Sequence, residues 1–419
     1  MQDALIFLLP LTLLLVPIVG RLRLRLRPFR RAPPARPRRR ACGSGGVVLA
    51  AESMREAMFG LLAAMCFGGG VDAGLVRAMA DAQDDLVQCF LGLRVLATLP
   101  AVTGLIYRSR WERVFELAAV PTRWRKLVEL RRQQEETYLP LIDARRDRAS
   151  RRGEAPAYVD TLVDLRVPDE HAASGGNRRR RRRQQQRRLT DGELVGLCSD
   201  FLGTCTEPAA AALQWIMANL VKRPDVQRAL REEIDAAVGA DADEVTEEVL
   251  GRLEYLNAVI MEGLQLHPTV PMVLRQVMAD DQVVLDGRRL PAGTAVHFPL
   301  ARLARDEAAW ADPREFRPER FLAGGEGEGE GVSLVAAAGS AGEIRMMPFG
   351  AGRRICPGMG VAELHLGYFV ANLVREFEWA EAEGDHAVDL RPDLVMKRPL
   401  RARLTPRRRR EADPCCKNN

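Results

Sequence analysis

Apolar and polar positions alternate at helical spacing over much of the chain. SMREAMFGLLAAMCF (53–67) is one such run, and the segments near 72–96 and 111–148 behave alike. Thr190 and Glu193 stand at the spacing of a capping box, which predicts a helix start. The text at 194–224 is largely apolar and interrupted only around 203–208, where Pro208 reinforces a kink. A helix apolar on all sides belongs inside a domain. EYLNAVIMEGLQLHP (254–268) predicts another helix, stopped by Pro268. DQVVLDGRRL (281–290) and AGTAVHFPL (292–300) read as short strands, and VAELHLGYFVANLVREFEW (361–379) as a last helix. The expected fold class is mainly α with a minor β region.

Residues 4–19, ALIFLLPLTLLLVPIV, carry no charge, and ten arginines follow within 21–40. The apolar run approaches the roughly 20 residues of a spanning helix. Basic residues on its C-terminal side favour a main domain facing the cytosol. The reading is a membrane anchor over 1–20 and a basic hinge over 21–50, stiffened by Pro33, Pro34 and Pro37. A cleaved signal peptide or a buried apolar segment are the alternatives. RRRRRRQQQRR (178–188) has too few apolar groups to pack and predicts a solvated loop insertion over about 168–189. An RNA- or phospholipid-binding patch is the other reading of that run. A basic flexible tail is expected over 406–419.

The composition, 47% hydrophobic and 28% charged over 419 residues, supports a sizeable core and excludes wholesale disorder. The net charge of +6 is concentrated in a few runs, so it is weak ground for nucleic-acid binding. Eight cysteines form no C-x-x-C pair, which argues against a disulfide scaffold or a four-cysteine zinc site.

The most informative text is Phe349-Gly350-Ala351-Gly352-Arg353-Arg354-Ile355-Cys356-Pro357-Gly358. A cysteine beside cations at a helix entrance is a stabilised thiolate. Pro357 suits a first helical turn. The glycines permit a tight loop whose N–H groups aim at the sulfur and tune an iron–sulfur bond. Arg354 is placed to meet an acidic group on the same cofactor. Phe349 is placed to cover the loop.

Phe349, Gly352, Arg354, Cys356 and Gly358 meet every specified position of F-x-x-G-x-R-x-C-x-G. The segment resembles the haem-binding signature of cytochromes P-450. The likeness runs from about Ser53 to Trp379, and YVDTLVDLRVPDE, ALQWIMANLV and HLGYFVANLVREFEW resemble plant microsomal members. The resemblance implies a cytochrome P-450 fold over 51–405 that holds haem b (iron protoporphyrin IX), with Cys356 as the axial thiolate. PERF (318–321) is similar to a family segment in which Arg320 joins a buried ionic network with the Glu and Arg of an E-x-x-R helix. Here that helix reads Glu262-Gly263-Leu264-Gln265, with Gln265 in place of arginine. Arg275 stands where a haem-propionate cation is expected. Thr206 stands as the catalytic hydroxyl of the oxygen-activating stretch, where Gly203 opens the helix groove, Leu202 adds bulk and Cys205 replaces the acid. The first sheet strands and the W-x-x-x-R helix have no counterpart, so an N-terminally incomplete fold is expected.

The implied activity is a haem-thiolate monooxygenase that inserts one oxygen atom of O2 into a lipophilic small molecule. Electrons come from an NADPH-dependent flavoprotein reductase. The implied place is the endoplasmic reticulum membrane, with the main domain facing the cytosol. Two other readings stand beside it. One is a haem-binding or misfolded remnant without turnover, motivated by Gln265, Cys205 and the absent segment. The other is a basic membrane-associated or RNA-interacting protein, motivated by the arginine runs alone.

Overall fold

The computed structural model describes residues 47–92, 120–146, 155–168, 186–238, 245–278, 283–327, 345–382, 388–390 and 396–407. The expected anchor (1–20), the hinge up to 46, the arginines at 178–183 and the tail from 408 lie outside the described residues. The chain divides into two compact units, one of residues 55–207 and one of residues 1–54 with 208–419.

In chain order the first elements are strand β1 (Val47–Leu49), helices α1 (Ala50–Phe67), α2 (Ala73–Gly92), α3 (Val120–Arg146) and α4 (Tyr158–Val163), strands β2 (Arg166–Pro168) and β3 (Gln186–Arg188), and helix α5 (Asp191–Lys222). In the unit 55–207 the apolar faces of α1, α2, α3 and α5 meet around Phe59, Met79, Ile142 and Leu202. A buried polar knot ties three of these helices. Gln134 Nε2 donates to Gln83 Oε1 at 3.1 Å and to Ser199 Oγ at 3.0 Å, and Ser199 Oγ donates to Gln83 Oε1 at 3.2 Å. Such groups are tolerated inside a core because they satisfy one another. The ends of the arginine-rich insertion are paired strands, since Arg166 faces Arg188 in the antiparallel β2–β3 ribbon.

The capping box at the head of α5 forms as expected. Thr190 N–H donates to Glu193 Oε2 at 2.7 Å, and Glu193 N–H donates to Thr190 Oγ1 at 3.3 Å. Arg187 grips the same carboxylate and holds its pKa down to about 2. The long apolar helix expected here forms: α5 runs through 203–208 with Pro208 inside it. Proline removes one helix N–H there, while Thr204 Oγ1 donates back to Asp200 O at 2.5 Å within the same helix.

The second unit continues with α6 (Pro224–Val238), α7 (Glu247–Leu250), α8 (Glu254–Leu266), strands β4 (Val273–Gln276), β5 (Val284–Leu285), β6 (Arg288–Arg289) and β7 (Ala295–Phe298), α9 (Leu300–Leu303), α10 (Met359–Glu376), β8 (Phe377–Glu381) and β9 (Arg401–Pro406). Helices α6, α7 and α8 pack on α10. Strand β9 lies between β1 and β8, antiparallel to both. The two strand-like runs form the β5–β6 hairpin and the β4–β7 pair. Asp286 and Gly287 have φ of 50° and 70°, the positive pair that a two-residue hairpin turn requires.

Among the described residues no helix is long and apolar enough to cross a membrane. This corrects the expectation of a transmembrane helix; the run that motivated it, 4–19, is not among them.

Helix α8 is buried on nearly all sides, and its backbone lies close to α5. A Cβ added at Gly263 would sit 2.4 Å from Ile216 Cγ1. We predict that Gly263→Ala loses up to about 2 kcal/mol, the overpacking of about 1–3 kcal/mol being partly offset by an alanine helix gain of about 1 kcal/mol. Denaturant midpoints check this. Adding Ile216→Ala should recover part of the loss, and an additive double mutant would contradict the contact.

Pro268 stops α8 as expected, and His267 caps it. The imidazole stacks on Trp215, with centroids 4.1 Å apart and planes at 3°. Neither ring nitrogen has a hydrogen-bond partner among the described residues. Burial, with Arg305 nearby, holds its pKa down to about 3, against 6.5 for a free histidine. A base with a depressed folded pKa contributes stability above pH 6.5 that is lost as pH falls toward 3. His267→Phe keeps the stack and removes both orphan nitrogens. It should therefore stabilise the fold by about 1–3 kcal/mol. Its advantage should widen below pH 6.5, as urea titrations at pH 7.5 and 5 would read. A destabilised variant would contradict this.

Candidate functional site

The cysteine segment folds as a tight loop before α10. Gly350 N–H donates to Met347 O at 3.1 Å, and one 3-10 turn spans Gly352–Arg354. Gly350 and Gly352 have φ of 74° and 68°, conformations that a residue with a Cβ rarely adopts. Ile355 N–H donates to Gly352 O at 3.1 Å, and Cys356 N–H to Phe349 O at 2.8 Å. The loop thus closes on the residue expected to cover it. Phe349 and Ile355 pack on a small core of Met261, Trp310, Met346 and Met359. Helix α10 begins at Met359 with Gly358 as its N-cap, so Pro357 precedes the first turn instead of entering it.

Cys356 is half-buried. Burial pushes its thiol pKa up, and the Gly358 N–H draws it back. The neighbouring Arg353 and Arg354 are exposed to water, where their fields are screened. The expectation that these cations stabilise the thiolate is corrected to that extent. In the folded chain the main-chain donor is what favours the charged sulfur.

The donor set fits haem. Among the described residues no three His, Cys, Asp or Glu side chains are grouped to hold a metal ion. A single sulfur with an N–H aimed at it suits a metal that brings its other ligands with it. Arg354 is in the same loop. Arg275 is exposed on β4, where its Nη1 donates to the carbonyl of Leu274 beside it.

Behind the loop, Glu262 of α8 and Arg320 of the Pro318–Phe321 turn form an ion pair at 2.9 Å with both side chains fully buried. Glu262 also accepts the Arg317 N–H at 2.7 Å. Burial outweighs both partners and pushes the Glu262 pKa up to about 7. Gln265 lies one turn on. Its Nε2 donates to Ala304 O and, at 3.5 Å, to Pro313 O, while its Oε1 is buried without a partner. We predict that Gln265→Arg stabilises the fold by about 1–3 kcal/mol. It replaces an orphan acceptor with a charged donor and raises haem occupancy, read by pyridine haemochrome titration. Unchanged occupancy and stability would contradict this.

On α5, Thr206 is fully buried and its hydroxyl has no partner among the described residues. Its own helix does not absorb it, unlike Thr204. Leu202 is buried. Glu207 pairs with Arg55 at 3.0 Å, and the same arginine reaches Asp84 at 3.3 Å. The groove expected at Gly203 is filled, because a Cβ there would lie 2.3 Å from Gln83 Nε2. Sequence reasoning missed Gln83, and it missed Trp310, Met346 and Arg345 behind the cysteine loop. Only the tryptophan beside the PERF segment offered a signal.

A mainly helical fold with a minor sheet, a cysteine loop at a helix head and a buried Glu–Arg pair behind it define a haem-thiolate class of protein. Comparison with known proteins agrees. The cytochrome P450 family profile matches residues 108–406. Cytochrome P450 89A9 of Arabidopsis thaliana is 37% identical over 373 residues, covering 87% of this chain and 67% of the relative. Cytochrome P450 78A9 of the same plant is 34% identical over 255 residues, covering 60% of this chain and 43% of the relative. A flavonoid 3'-monooxygenase of Arabidopsis thaliana is 37% identical over 196 residues, covering 47% and 36%. The chain belongs to the cytochrome P450 family. Membership places it among the haem-thiolate monooxygenases, whose cofactor is haem b with an axial cysteine thiolate.

Proposed function

We propose that Cys356 is the axial ligand and that the chain oxygenates a lipophilic small molecule, with electrons from an NADPH-dependent flavoprotein reductase at the endoplasmic reticulum. The observation that carries this reading is the sulfur of Cys356, which receives the Gly358 N–H at the head of α10 in a loop matching the family signature. Bound haem supplies reductive activation of O2, made effective by electron donation from the thiolate. The chain's own residues do the rest. The Gly358 N–H withdraws charge from the sulfur and so tunes it. Phe349 and Ile355 seal one side of the loop against water. Arg354 and Arg275 offer cations to the haem propionates. Thr206 offers a buried hydroxyl with no competing partner. Cys205 holds no carboxylate to pass protons, so slow turnover is part of this reading.

The test uses the full chain supplied with haem, a plant flavoprotein reductase and NADPH. The reading expects oxygen consumption that rises when lipophilic plant metabolites are added. Haem-loaded protein that the reductase does not reduce would reject it and favour a remnant without turnover.

A further inference from the structure

A second set of contacts runs behind the cysteine loop, through residues outside the family signature. Glu326 lies in the glycine-rich segment that follows the Pro318–Phe321 turn. One of its carboxylate oxygens bonds Arg320 Nη1, and the other accepts the Ala311 N–H at 2.8 Å. Its main-chain oxygen accepts from Arg345 Nη1. Arg345 donates through Nε to Ala309 O at 3.1 Å, and through Nη2 to the same oxygen. Its guanidinium lies 4.1 Å over the Trp310 ring. Trp310 Nε1 donates back to Arg345 O at 3.2 Å.

Arg345 opens the described segment that leads to Cys356. Met346 beside it joins Trp310, Phe349 and Ile355 in one apolar cluster, and Phe349 O holds the Cys356 N–H. A continuous line of contacts therefore runs from Arg320 through Glu326, Arg345 and Trp310 to the sulfur's own residue.

We propose that Glu326 and Arg345 are positioning residues, which clamp segment 345–356 onto Trp310 and so fix the sulfur of Cys356. This rests on the reading of Cys356 as the axial ligand. The loop needs such a tie because Gly350 and Gly352 leave its backbone permissive. Arginine suits the place, since one planar fork bonds two carbonyls while its face stacks on an indole. Lysine, a compact point charge without the planar fork, cannot do both at once. Glu326 suits it because one residue bonds Arg320 with its side chain and Arg345 with its main chain.

The test compares the full chain with Arg345→Met, Arg345→Lys and Glu326→Gln. The first readout is the rate at which the reduced carbon monoxide complex loses its thiolate-type Soret band. The second is alkylation by iodoacetamide in the full chain without added haem, measured by peptide mass at Cys356 and at the buried Cys198. Arg345→Met and Glu326→Gln should speed both processes at Cys356 about tenfold, the scale seen when outer support of a metal ligand is removed. Cys198 should keep its rate. Arg345→Lys should behave like Arg345→Met. Unchanged Cys356 rates, a rise shared equally by Cys198, or a lysine variant matching the wild type would each overturn the clamp. If the wild-type haem protein lacks the thiolate-type band, the axial-ligand reading falls. Labelling at Cys356 then still decides the clamp.

Discussion

Arg320→Met should lose about 3–5 kcal/mol of stability at pH 8, the usual cost of breaking a buried ion pair from one side. That is a large share of the roughly 5–15 kcal/mol that holds an ordinary domain together. Arg320 reaches Glu262 at 2.9 Å, the Ala311 carbonyl at 2.8 Å, and the Asp312 and Glu315 carbonyls at 3.2 and 3.3 Å. Methionine fills part of the volume and answers none of them. Glu262 is then left with only the Arg317 N–H.

The penalty should shrink on acidification. Glu262 already has its folded pKa raised to about 7, above the 4.5 of a free glutamate. A raised acid contributes stability that is fully present below pH 4.5 and lost as pH rises through 7. Without Arg320 the carboxyl will hold its proton more firmly still, so at pH 5.5 it is neutral and cheap to bury. Urea midpoints of wild type and variant at pH 5.5 and 8 check this. An equal penalty at both values, or one below about 1 kcal/mol, would contradict the role of the pair.

Much of this arrangement could be read from local text. The capping box of Thr190 and Glu193 and the stop at Pro268 follow from short-range rules. Both stand in the structure. The cysteine loop was legible for the same reason, since its glycines, its cysteine and its helix head are contiguous. What remained hidden depends on where the fold places each side chain. Gly203 looked like an opening in α5, yet Gln83 of another helix fills it. Arg353 and Arg354 looked like neighbours that would charge the sulfur, but they face solvent. Glu326 looked like part of a loop of glycines and acids, and it is a partner of Arg320.

The departures at 265 and 205 differ in kind. Gln265 removes a charge from a fully buried site, so its cost falls on the fold around Glu262. Cys205 lies on α5, two residues before the Arg55–Glu207 pair, and Glu207 is already engaged there. No neighbouring acid is free to take over from it within that turn.

The bond between Cys356 and iron is tested most directly by one spectrum. The full chain, supplied with haem, is reduced with dithionite under carbon monoxide, and Cys356→Ala is treated alike. The wild type should show the red-shifted Soret band of a thiolate-ligated haem, and the alanine variant should lose it entirely. The same band in both proteins would mean that another residue holds the iron, and Cys356 would not be the axial ligand.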